Sequence, residues 1–152
     1  MTKNLEQQLQ ILIENAPEHG VAPHVIEKAI APELLAIAKQ LNHDHYYLLQ
    51  SPQKNWVISV MSSSNSPQIE KKVIFAFSSL KAATHEKPEM ITVNLPVIEL
   101  LWQFFSLKQI DSLVFIENQQ ANPPSFEVNL QHLQSRIQKQ LVRLASTPPD
   151  IA

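Results

Sequence analysis

Gly20 is the only glycine in a chain of 152 residues, and that scarcity limits both the turns and the chemistry available. A phosphate-binding loop, a dinucleotide fingerprint and a hydrolase nucleophile elbow each need glycine, either where a backbone turns sharply or where it must approach a ligand. None of the three can be written with one glycine. Eleven prolines take over much of the punctuation. Cysteine is absent, which removes disulfides, thiolate metal sites and cysteine nucleophiles together and suits a reducing cytosol.

The length fits one domain over residues 1–152 with a core of ordinary size. Charged residues are 17% of the chain against 44% apolar, a globular balance with an amide-rich polar surface. A net charge of -2 gives no general attraction for nucleic acid or anionic membrane. The opening MTKNLEQQLQILIENA has no continuous apolar stretch, and no later run approaches the roughly 20 apolar residues of a membrane span. A soluble, cytoplasmic protein is expected, with neither nucleic acid nor membrane as partner.

Leu5, Leu9, Leu12, Ile13 and Ala16 fall at helical spacing, and Pro17 and Gly20 end that helix. Pro32 interrupts a second helical pattern, which predicts two short helices over 23–30 and 32–41. From His45 the period shortens to that of strands. HYYLLQ and NWVISVM read as a β-hairpin about Ser51–Lys54, followed by a polar connection over 62–68. KKVIFAFSS, MITVNL and DSLVFIEN supply three more strands. A helical turn lies over 79–88, and Pro96 opens a helix to about Ser106, capped by Asn94 or Leu95. Asn129 caps a last helix with Leu130, Leu133, Ile137, Leu141 and Leu144 in one stripe. The fold expected is α+β: a helical segment over 1–41, then a mixed sheet of about five strands with two or three packed helices over 45–145, and a mobile tail over 146–152.

The words VIFAFSSLKAA, ITVNLPVIELLWQFF and QIDSLVFIEN, within about 56–118, resemble the N-terminal domain of the SseB type. Phe77-Ser78-Ser79 stands for that family's strand ending, and Ile110-Asp111-Ser112-Leu113-Val114 for its later strand. The chain departs where the family carries glycines, and Glu117-Asn118-Gln119 replaces an Asn-Pro ending. The resemblance implies an α+β domain and provides no catalytic residues to carry over, which weighs against an enzyme.

Several constellations invite a chemical reading. His43-Asp44-His45 could set two imidazoles on one strand face for a metal, yet zinc needs a third protein ligand and no other histidine shares that spacing. A polar helix-to-strand turn, with Asn42 and Asp44 bonding local backbone, is the simpler reading. Glu86 and Glu89, and Asp111 and Glu117, read as solvated ends of elements rather than an acid pair. Ser62-Ser63-Ser64 lacks the tight turn a nucleophile needs. Arg136, Lys139 and Arg143 form a basic stripe without interleaved aromatics. Neither metal nor cofactor is expected, and no catalytic residue is assigned.

The helix after Pro96 is apolar over nearly its whole girth, apart from Glu99, Gln103 and Ser106. If the sheet covers one side, the rest needs the last helix or another chain as cover. The function expected is therefore non-enzymatic: a protein-interaction or regulatory module that binds a protein partner or a second copy through Leu101, Trp102, Phe105, Ile137 and Leu141. The alternative is a small-molecule- or metal-binding enzyme using the His43/His45 region.

Overall fold

A computed structural model describes residues 4–63, 66–105, 107–117 and 125–146. The tail expected over 146–152 and the stretch 118–124 fall outside them, apart from the backbone of Ser146. The fold is α+β, with a mixed sheet of six strands.

Helix α1, Leu5–Glu14, ends in a 3-10 turn, Ala16–His19, and Gly20 closes it at φ 73°, the left-handed geometry that glycine adopts without strain. The expected break at Pro32 is softer than a break. A single turn, α2 (Pro23–Val25), runs into a π-turn over Ile26–Ile30 and on into α3, Ala31–Gln40. Pro32 has no N–H for the preceding turn, and the wider π-turn lets the helical path continue through the lost bond.

Strand β1 is His45–Gln50 and β2 is Ser59–Ser63, and the expected hairpin forms only at its closed end, where Ser51 N–H donates to the Asn55 carbonyl at 2.8 Å and Val57 N–H to the Leu49 carbonyl at 3.0 Å. One bridge, Gln50 to Trp56, joins the two arms. Both strands instead line the same edge of β3, Ser66–Phe77, with 51–58 as an excursion between them. The polar connection expected over 62–68 is thus largely strand among the described residues, divided between the end of β2 and the start of β3. Lys54 in that excursion holds φ 69° without being a glycine.

Ser79 caps α4, Leu80–Glu86, by accepting from the Ala82 N–H at 3.1 Å. Next come β4 (Ile91–Pro96), α5 (Val97–Phe104) and β5 (Ser112–Ile116). The cap of α5 is Pro96 itself rather than Asn94 or Leu95. β6, Ser125–Asn129, is a sixth strand that the sequence reading missed. Asn129 then accepts from the His132 N–H at 3.0 Å and starts α6, Leu130–Ser146. The sheet order is β4-β1-β3-β5-β6, with β2 also on β3, and only the β3–β5 pair is parallel.

Alternation divides the sheet into two faces. Tyr46, Leu48, Ile74, Ala76, Leu113, Phe115 and Val128 point to the helical side and share one core with Leu5, Leu12, Leu34, Leu100 and Ile137. The N-terminal segment thus packs on the sheet and is not a separate arm. α1 and α3 supply the second cover that α5 requires. On the other face α4 covers a smaller cluster, with Leu49, Phe77 and Ala83 at its centre.

At the far end of that second face Glu127 accepts from Lys71 Nζ and Ser112 Oγ, each at 2.6 Å. The Lys71 bond foremost, then the Ser112 bond, holds its carboxyl below the usual range. A depressed carboxylate stabilises the fold above its unfolded pKa, and that contribution disappears as pH falls through the folded value. Glu127→Gln should therefore flatten the acid limb of stability below about pH 5. The loss at neutral pH should be at most about 1 kcal/mol, since the side chain is 42% exposed and screened by salt. Denaturant melts at several pH values check this; an unchanged acid limb would refute it.

Candidate functional site

Two places gather functional side chains. The first is a polar junction at the C-terminal end of β5. Strand alternation puts Glu117 on the face of Leu113 and Phe115, so its carboxylate turns towards the core instead of solvent. Its side chain is 3% exposed, which corrects the expectation of a solvated strand end. Asp111, at the other end, is exposed, and its carboxylate accepts from the Lys72 N–H at 2.8 Å. Tyr46 donates its phenol hydrogen to Glu117 Oε1, and His43 Nδ1 meets Oε2 at 2.9 Å. The Tyr46 ring lies edge-on to Phe115 at 4.9 Å and to His43 at 5.7 Å. Ala76, on the intervening β3, leaves room for that contact.

Burial, reinforced by the bond to Glu117 and its negative charge, pushes the Tyr46 phenol far above its ordinary value. Tyr46 is therefore a neutral donor at any physiological pH and supplies no phenolate. His43 and His45 do not converge. His45 Nδ1 pairs with Asp44 at 2.9 Å, and that bond leads in holding the Asp44 carboxyl below its usual range. Among the described residues no cluster of three His, Asp or Glu side chains could hold a metal. No serine or threonine hydroxyl bonds to His43 among them either.

The tripeptide also does more than cap a strand. The Asp44 carbonyl accepts from Val97 N–H at 2.8 Å and from Gln8 Nε2 at 3.0 Å. Gln8 Oε1 in turn accepts from Ile98 N–H at 3.0 Å. One buried glutamine thus ties α1 to the start of β1 and the start of α5. The carboxylate of Asp44 does bond to its own backbone, as expected, and its carbonyl adds these bonds to distant segments.

The second place lies directly above Gln8. Gln8, Ile11, Leu12 and Asn15 of α1 and its C-cap face Pro96, Glu99, Trp102 and Gln103 on α5 across a groove of about 370 Å³. Ile11 is exposed and Trp102 is partly so, its ring 5.4 Å from that of Phe105. Of the expected contact residues, Trp102 lines this groove and Phe105 adjoins it. Leu101 and Ile137 are buried in the core and so are not available at the surface. Leu141 packs partly buried on that core from α6, away from the groove. The proposed five-residue surface is thereby reduced to the neighbourhood of Trp102.

The basic stripe of Arg136, Lys139 and Arg143 is exposed on α6, and its first member is tied to α3. Arg136 Nε meets Glu33 Oε2 at 3.1 Å, and Glu33 is buried between α3 and α6. Sequence spacing singled out Trp102, which lines the groove, and passed over Gln8 and Glu117. Both were visible as polar residues on apolar faces: Gln8 between Leu5 and Leu12, Glu117 two residues beyond Phe115.

No helix among the described residues is long and apolar enough to cross a membrane. No protein-family model matches this sequence, and no curated protein matches it significantly.

Proposed function

We propose that this protein is a non-enzymatic interaction module of the cytoplasm that holds an apolar side chain of a protein partner in the groove between α1 and α5. The groove beside Trp102 carries this reading. Its volume suits one or two large side chains, and aromatic anchors seated in such pockets dominate binding energies. The charged residues of α1 and α5 are Glu6, Glu14 and Glu99, all acidic, so the partner segment carries Lys or Arg beside its anchor. The resemblance to the SseB-type domain, which brings no catalytic residues, supports the same reading. Its three quoted words here form β3–α4, β4–α5 and β5. An enzyme acting through His43 and His45 has less support, because their Nδ1 atoms bond to different carboxylates, Glu117 and Asp44.

A peptide-display selection against the full chain tests this. Enriched peptides should combine an apolar anchor with flanking basic residues. Trp102→Ala should weaken them by about thirtyfold or more, the scale of a hot-spot tryptophan. Glu99→Lys should weaken them several-fold, more at low salt. Peptides indifferent to both substitutions, or no enrichment, would sink the proposal.

A further inference from the structure

The ribbon formed by β2 and β3 is built differently from the other sheet edges. The β5 side joins β3 only from Lys72, which bonds to Asp111, and Val73, opposite Ser112, so before Lys72 the strand is paired with β2 alone. A two-stranded ribbon is marginal in water by itself. Among the described residues no strand pairs with the outer edge of β2, and that edge presents a row of ladder groups to solvent.

Exposed edges are normally guarded by charge or proline. β4 ends in Pro96 and β6 carries Glu127, whereas no charged residue occurs from Asn55 to Ile69. The edge is uncharged instead, with exposed apolar side chains among its serines. Ile58 is 41% exposed, Val60 56% and Met61 47%. Val60 and Met61 point to opposite faces, so a strand laid on this edge finds an apolar neighbour above and below it.

Self-pairing is the association such a strand permits. An antiparallel pair about a twofold axis sets a strand against its own sequence, and any charge then meets a like charge nearby. The uncharged run removes that obstacle wherever the axis passes. We propose that β2 pairs antiparallel with β2 of a second copy, converting two marginal ribbons into one four-stranded sheet, β3-β2-β2-β3. This surface is separate from the α1/α5 groove, and the dimer leaves both grooves open.

Sedimentation of the full chain across a wide concentration range gives the first readout, with a two-chain mass expected. Val60→Lys should weaken the dimer by about tenfold or more through like charges across the axis. Mixing the Val60→Lys and Val60→Glu proteins should restore a two-chain species. In the wild-type protein, amide exchange at Ser59–Ser63 should slow as concentration rises, a readout that does not depend on any variant folding. A single-chain mass throughout would overturn the proposal. So would a dimer that tolerates both charges and shows no concentration-dependent protection in β2. Trp102→Ala should leave the mass unchanged, which keeps this test apart from that of the groove.

Discussion

Phe104→Ala should cost about 3–5 kcal/mol, the largest loss expected from any single truncation discussed for this fold. Phe104 is fully buried on α5, and its ring stands edge-on to Trp56 at 5.1 Å. Truncation removes apolar burial, removes that aromatic pair and leaves a cavity that close-packed neighbours cannot fill. In a chain of this size the midpoint should fall by roughly 10 °C or more. Phe105→Ala, one residue along and only partly buried, is the control and should cost distinctly less. Equilibrium denaturation of the two variants decides it. A loss below about 1 kcal/mol at Phe104 would mean that α5 is not held in the core as described.

Glu117→Ala comes second, at about 2–4 kcal/mol, for a different reason. The carboxylate is charged and buried, but it accepts from Tyr46 and lies within bonding distance of His43. Removing it strands a phenol hydroxyl where no water reaches. Tyr46→Phe alone should cost about 1.5–3 kcal/mol, because it leaves the buried carboxylate short of a donor. The two losses should not add. With Glu117→Ala already made, Tyr46→Phe removes only a hydroxyl that has no partner, so the coupling should exceed about 1 kcal/mol. Apolar replacement of both, Tyr46→Phe with Glu117→Leu, should recover part of the loss. Additivity within about 0.5 kcal/mol would show that the phenol and carboxylate do not act together.

These two sites show what the sequence made legible. The α+β class, the placement of α1, α5 and α6 and the cap at Asn129 follow from local periodicity and local bonds, which a single sequence displays directly. Strand pairing does not. HYYLLQ and NWVISVM look like hairpin arms, yet the long β3 gives both strands a better edge, and that competition is settled across the sheet. β6 was hidden because SFEVN alternates weakly and its partner, β5, precedes a loop rich in proline. Glu117 was misread for a related reason. Charge suggests solvent, whereas the register of β5 points the side chain inward, and partners far along the chain, Tyr46 and His43 at 71 and 74 residues away together with the Asn42 N–H, make that position tolerable. The helical girth argument led to Trp102, which lines the groove. Two of its companions are not at the surface, because Leu101 of α5 and Ile137 of α6 both turn into the core.

Gln8 carries an implication for how the chain is made. Its two amide bonds reach Asp44 and Ile98, 36 and 90 residues further along. On the ribosome, the first helix can rest on α2 and α3 early but completes its docking only once the fifth has emerged. At ordinary elongation rates that delay is roughly 5–20 s, during which Leu5, Leu9 and Leu12 keep only part of their native cover. Until α5 arrives, α1 is thus a sticky amphipathic segment, and the same stripe that closes the finished core is one that a chaperone can hold.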